Sequence, residues 1–265
     1  MMKPMIIDTH AHYDDPAFDG DREDVLAALE TDGIYRAVNV GASPETSRSS
    51  LTLAQTHDNV YASVGAHPES AARLTEADIA EMMQLSTDPK VVAWGEIGLD
   101  YYYEDPPRDI QKVWFERQLE AAREVELPVI IHSRDAAQDT LDIMTSHRAG
   151  EMGGVVHCYS YGTELAKKYL DMGMFFGIGG VLTFKNARKL VEVVEYLPMD
   201  AIVLETDCPY MAPTPHRGER NRSALIPYVV QKMAQLKGVS EEEVMRITCM
   251  NAYKLYPKLG ECPWT

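Results

Sequence analysis

Eight short apolar runs, each closed by a turn signal and followed by a stretch with helical spacing, constrain this chain more than any other feature. They are Met5 to His12, Tyr35 to Gly41, Val60 to His67, Val91 to Gly98, Pro128 to Ser133, Gly154 to Tyr159, Met174 to Gly179 and Ala201 to Asp207. The runs are continuously apolar rather than alternating, which marks strands buried on both faces, as in a parallel sheet covered by helices. The stretches between them carry apolar stripes: Val25, Leu26 and Leu29 within 22–31, and Val113, Phe115, Leu119 and Ala122 within 110–124. Eight such units predict an α/β fold closed as a (β/α)8 TIM barrel. An open doubly wound sheet would build its ligand site from only a few strand ends, whereas here polar residues end five strands.

After the last run comes a Pro- and Arg-rich loop, 211–222, and then two terminal helices, the second opened by Ser240 and Glu243 in the S-x-x-E spacing of a capping box. No low-complexity linker or internal repeat breaks the chain, so one domain spanning 1–265 is expected. No apolar run reaches the roughly 20 residues a membrane helix needs. The first seven residues, with Lys3 as their only charge, read as neither signal nor transit peptide, and a cytoplasmic location without a membrane partner is the expectation. The four cysteines, Cys158, Cys208, Cys249 and Cys262, lack CxxC spacing and read as packing residues in a reducing compartment. A formal charge of −16 argues against a protein that wraps long stretches of nucleic acid, though not against a phosphate handled through bound metal.

The strand ends carry the chemistry. The first run ends Asp8-Thr9-His10-Ala11-His12, and strand alternation predicts that His10 and His12 project together, with Asp8 one layer below to orient them. An H-x-H alone says little, but Glu96, His132, His157 and Asp207 end four further runs. Burying so many ionisable groups in one apolar-walled space costs several kcal/mol per unpaired charge unless cations compensate. The ligand count suggests two divalent ions: His10, His12 and Asp207 around one, His132 and His157 around the other, and Glu96 bridging. Mg, Mn or Zn are the candidates, and the mixed donor set suits Zn, Mn, Co or Fe better than Mg.

These residues stand in segments that resemble the TatD family of metal-dependent deoxyribonucleases, within the amidohydrolase-like barrels. The matching segments, in order along nearly the whole chain, are Asp8 to His12, Gly65-Ala66-His67-Pro68, Gly95 to Tyr101, His132 to Ala136, His157 to Ser160, Glu205 to Tyr210 and Asn251-Ala252. The resemblance implies a TIM barrel, a divalent-metal centre on the six residues above, and hydrolysis of phosphodiester bonds in DNA, often from a 3′ end. The chain departs from the family pattern at Tyr159-Ser160-Tyr161-Gly162 and at Arg222-Ser223, none of them an expected ligand.

A water between two metals would be the nucleophile, with Asp207 as general base and Glu205 assisting it or binding substrate. His67 is expected to touch a phosphate oxygen or protonate the leaving group. Arg134, Arg217 and Arg220 are expected to contact phosphates, and Tyr101, with its neighbours Tyr102 and Tyr103, to stack on a base. The expected partner is a DNA end or single-stranded DNA, and the oligomeric state stays open, a monomer being compatible. Two other readings compete: a barrel hydrolase of a small amide, lactone or phosphoester, and a non-catalytic interaction module. Many amidohydrolase barrels bridge their metals with a carboxylated lysine on the fourth strand, where this chain has Glu96. A degenerate binding module would be expected to have lost ligands, and none is missing.

Overall fold

The computed structural model describes residues 5–264. Eight strands lie in chain order in one parallel sheet: β1 (Ile6–Ala11), β2 (Ile34–Asn39), β3 (Val60–Val64), β4 (Val91–Asp100), β5 (Val129–Arg134), β6 (Gly154–Val156), β7 (Phe175–Ile178) and β8 (Ile202–Leu204). A parallel bridge between Ala11 and Cys208 closes the sheet, helped by the His12 amide donating to the Cys208 carbonyl and the Asp207 amide to that of His10. The barrel expected from the eight runs is therefore the fold observed.

Helices α1 (Arg22–Ala28), α2 (Pro44–Thr56), α3 (Glu76–Leu85), α4 (Arg108–Glu124), α5 (Ala137–Ser146), α6 (Thr163–Asp171), α7 (Arg188–Tyr196) and α8 (Ile226–Lys237) follow the strands in turn. A ninth, α9 (Glu241–Leu255), packs on β1 and β8 and seals the floor of the barrel. Its Cys249, Ala252, Tyr253 and Leu255 meet Ile7, Val38, Val92, Ile130, Val155 and Val203 in one buried apolar cluster. Among the described residues no helix is long and apolar enough to cross a membrane.

Several local expectations are corrected. Helix α4 buries Gln111, Phe115, Gln118, Leu119 and Ala122, while Val113 is 60% exposed, because Val113 stands half a turn off that stripe. The two glutamines, seven residues apart, each clamp a strand exit. Gln118 exchanges hydrogen bonds with both backbone groups of Ala66, and Gln111 does the same with Asp100. At α9 only half the capping box forms, Ser240 Oγ accepting from the Glu243 amide, whereas complete boxes cap α2 (Ser43, Thr46) and α3 (Thr75, Asp78).

Candidate metal centre

Two strands reach the mouth with altered registers. From Asp8 to Ala11 β1 advances three residues while β2 advances two, Ala37 to Asn39, and β4 gains one residue on β5 in the same way between Trp94 and Ile97. The extra residue in β1 reverses its alternation. Ile7 joins the floor cluster, yet His10 and His12 also converge inside the barrel. Asp8 consequently lies on the other face and orients no imidazole, contrary to the simple alternation. It instead accepts from the Thr206 amide and hydroxyl (3.0 and 2.7 Å) and from Ser223 Oγ (2.6 Å), anchoring the turn that carries Asp207.

Strands β6 and β8 stop earlier than their apolar runs, at Val156 and Leu204, so His157 and Asp207 stand on the first residues of loops. Just there Cys158 and Asp207 take left-handed backbone, with φ of 44° and 56°. A non-glycine residue held in that region stores strain, which concentrates at functional sites.

The structure brings all six expected ligands to one cluster. His10 Nε2 lies 3.1 Å from His12 Nε2, 3.4 Å from Glu96 Oε2 and 3.6 Å from Asp207 Oδ1, and His12 Nε2 lies 3.3 Å from the same Asp207 oxygen. The other Glu96 oxygen, Oε1, faces His132 Nδ1 at 2.7 Å and His157 Nε2 at 3.4 Å. Glu96 thus turns one oxygen to each pair of histidines. Two donors each about 2.1 Å from a shared ion stand some 3–3.5 Å apart, and the His10–His12, His10–Glu96, His12–Asp207 and His157–Glu96 contacts have that spacing, whereas His132 meets Glu96 at the hydrogen-bond distance of 2.7 Å.

The outer nitrogens show what the inner ones must be. His12 Nδ1 faces the Val40 carbonyl at 3.0 Å, His132 Nε2 faces Asp100 Oδ2 at 3.0 Å, and His157 Nδ1 faces Glu205 Oε1 at 3.3 Å. All three partners are acceptors; the Val40 and Asp100 contacts are hydrogen bonds that put the hydrogen on the outer nitrogen and leave the inner nitrogens of neutral His12 and His132 as lone pairs, while His157 Nδ1 meets Glu205 at ion-pair distance without a hydrogen bond. Each inner lone pair then points at a carboxylate oxygen. Acceptors facing acceptors in a buried space repel unless a cation lies among them, and both a proton and a metal ion qualify.

The electrostatics agree. Burial opposes a charge on His12, but Asp207 and Glu96 carry it up to about 9. Burial likewise opposes His157, while Glu205 and Glu96 carry it to about 10. Burial pushes the Glu96 carboxyl upward, yet His157, His10 and His132 hold it well below the usual range. The cluster is an anionic cage that draws in positive charge, and a metal would displace protons from it.

The remaining expected residues divide. Glu205 stands behind His157, 1% exposed, where it accepts the Cys158 amide at 2.6 Å. It fits there because Gly177 has no side chain: a Cβ would lie 2.0 Å from Glu205 Oε2. Its position beside His157 lets it orient that imidazole, and with His10 and His157 it forms a further set of donors close enough to share an ion. His67 does reach the mouth. Its Nδ1 accepts from the Glu69 amide, leaving an Nε2–H 3.9 Å from Glu96 Oε1, and burial beside His132 holds the ring down at about 3, hence neutral.

Arg134 lies at the rim, its guanidinium over the Tyr102 ring at 3.7 Å, with no carboxylate in ion-pair range among the described residues. Tyr101 turns away: its hydroxyl donates to Asp139 and Arg108 covers its ring, and it is Tyr103 that lines the mouth. Arg220 is already neutralised by Asp21 through two hydrogen bonds of 2.7 and 2.6 Å, and Arg217 stacks on Phe184 at 3.5 Å. Neither arginine lines the two cavities at the mouth.

Two residues were missed. Asp100 fixes the His132 tautomer, and Asn221, 1% exposed, donates to the Thr206 and Tyr210 carbonyls and so braces the loop around Asp207. The signal for Asp100 was its place at the end of an apolar strand, four residues past Glu96. Nothing in the sequence marked Asn221 beyond its loop.

Comparison with known proteins agrees with the geometry. A model of the TatD-related DNase family matches residues 7–257. The chain is 40% identical over 252 residues to the uncharacterized metal-dependent hydrolase YabD of Bacillus subtilis, covering 95% of this chain and 99% of that one. It is 34% identical over 260 residues to the uncharacterized metal-dependent hydrolase TatD of Mycobacterium tuberculosis, covering 95% and 97%. Its backbone superposes on the crystal structure of YJJV, a TatD homologue from Escherichia coli, with a TM-score of 0.91 at 31% identity, covering 97% and 99%. By fold, by the cluster at its mouth and by these matches, the chain belongs to the TatD-related family of metal-dependent hydrolases.

Proposed function

We propose that this protein hydrolyses phosphodiester bonds in DNA, removing nucleotides from a 3′ end with the help of two divalent cations. The reading rests above all on the two-sided placement of Glu96, whose oxygens serve the His10–His12–Asp207 group and the His132–His157 group separately. When bound, paired cations at such a cluster lower the pKa of water toward 7 and neutralise charge developing on a phosphoryl group.

The chain's own groups supply the rest. Asp207, held by its strained turn and by Asp8 through Thr206, is the carboxylate placed to take a proton from the attacking water. His67 Nε2–H is a neutral donor at the rim for a phosphate oxygen or the leaving oxygen. Arg134, with no carboxylate in ion-pair range among the described residues, suits a bidentate phosphate contact, with Tyr102 and Tyr103 beneath it able to stack on a base.

The test is direct. Protein freed of metal by chelation and reloaded with Mn, Mg or Zn is given single-stranded DNA labelled at its 5′ end. Stepwise shortening that stops on chelation is the expected result. Uncut DNA in the presence of metal-bound protein would overturn the proposal.

A further inference from the structure

Two cavities meet at the cation cluster, and they differ in chemistry. The larger, about 670 Å³, is walled by polar groups of the β1, β2 and β3 exits, among them Asp15, Ser43, His67 and Glu69. The smaller, about 360 Å³, opens from the same His132, His157 and Asp207 but runs toward β6, β7 and the loop after β8. Its lining is mostly apolar and polarisable, with Tyr159, Val181, Leu190 and the sulfurs of Cys158 and Met211, which stand 3.8 Å apart, and it carries Ser133, Ser160 and Glu205 as polar members. Glycine shapes one wall, because a Cβ at Gly180 would lie 2.2 Å from the Met211 carbonyl, so backbone closes directly on backbone. Arg134 stands at the junction and borders both cavities.

The occupant follows from this placement. A group that enters the slot while a phosphate lies at the cations must be uncharged, small enough for a space of about 360 Å³, and joined to the phosphate by a short linker. Sulfur and aromatic edges favour a π-system over an aliphatic chain. Resting on the phosphodiesterase reading above, we propose that the slot receives a single nucleobase, that of the nucleotide being released. Its residues Val181, Leu190 and Met211 make the enzyme recognise one base at a strand end rather than a length of backbone. This agrees with a chain of charge −16 that offers few cations to a polyanion.

The test uses binding of product-like probes to the metal-loaded protein, measured by calorimetry. Deoxyadenosine 5′-monophosphate and 2-deoxyribose 5-phosphate present the same phosphate and sugar and differ only in the base. The proposal expects the base-bearing probe to bind at least tenfold more tightly, and expects Val181→Trp, which fills the slot, to bring the two dissociation constants together. Equal binding of both probes to the wild-type protein overturns the base slot and leaves the phosphate reading standing. Failure of both probes to bind overturns the two together. The wild-type comparison needs no variant, so it decides the matter even where Val181→Trp does not fold.

Discussion

The floor and the mouth of this barrel are built by the same strands and their exits, two residues apart, and they are opposites. At the floor Ile130, Val155 and Val203 pack against α9 in an apolar cluster, and two positions further along the chain stand His132, on β5, and His157 and Glu205, just past the ends of β6 and β8. The floor is continuous apolar contact. The mouth is a set of buried acceptors turned on one another, carried on shortened strands and left-handed turns. The contrast teaches that this fold draws its stability from one end and its chemistry from the other, so the two should fail independently.

The largest expected effect is at the mouth. Glu96→Gln removes the group shared by both halves of the cluster, and turnover should fall by on the order of 10³-fold or more, with circular dichroism unchanged. Retained turnover would break the division of labour.

At the floor, Leu255→Ala deletes buried apolar contact of α9 and should cost about 2–5 kcal/mol of stability. Denaturant unfolding measures that loss, and metal content and turnover of the folded protein should match wild type. A variant of normal stability, or one that loses its metal, would show the two ends to be coupled.

Between these lies Asp100, which orients His132 from behind. Asp100→Asn should weaken metal binding by roughly 10–100-fold in a competition titration, without unfolding the chain. Unaltered affinity would mean the tautomer of His132 is set elsewhere.

The metal-free protein should also show a pH dependence that the metal-loaded one lacks. His12 and His157 lie at about 9 and about 10 against an ordinary 6.5, so their raised values stabilise the fold fully below pH 6.5. That contribution is lost as pH climbs toward 9–10, and the Tm of the metal-free chain should fall across this window. Bound metal replaces those protons and flattens the curve. A metal-free Tm that is level or rising there would contradict the cage.

The smallest effect separates Arg134 at the rim from Arg220 in the loop beyond it. Arg220→Ala breaks a partly exposed, solvent-screened ion pair with Asp21 and should leave both stability and KM nearly unmoved. Arg134→Ala should raise KM for DNA while leaving stability intact.

The barrel and its six mouth residues were legible because those residues stand at the ends of five continuous apolar runs, a pattern that survives uncertain strand limits. What was not legible depends on register or on distant partners. The extra residue in β1 moved Asp8 from behind the histidines to the Asp207 turn, and no periodicity in Ile6 to His12 marks that slip. Arg220 looked free because its partner Asp21 stands 199 positions away. Among three adjacent tyrosines, the pairing of Tyr101 with Asp139 decided which ring turned from the mouth, and only the packing of α5 beside β4 brings those two together.

Metal titration of the stripped protein tests the central claim most directly. With Mn or Zn followed by calorimetry and elemental analysis, the cage predicts two ions per chain, proton release on binding, and fewer than two ions in Glu96→Gln. Saturation of the wild-type protein at one ion or none, or a Glu96→Gln variant that still takes up two, would contradict it.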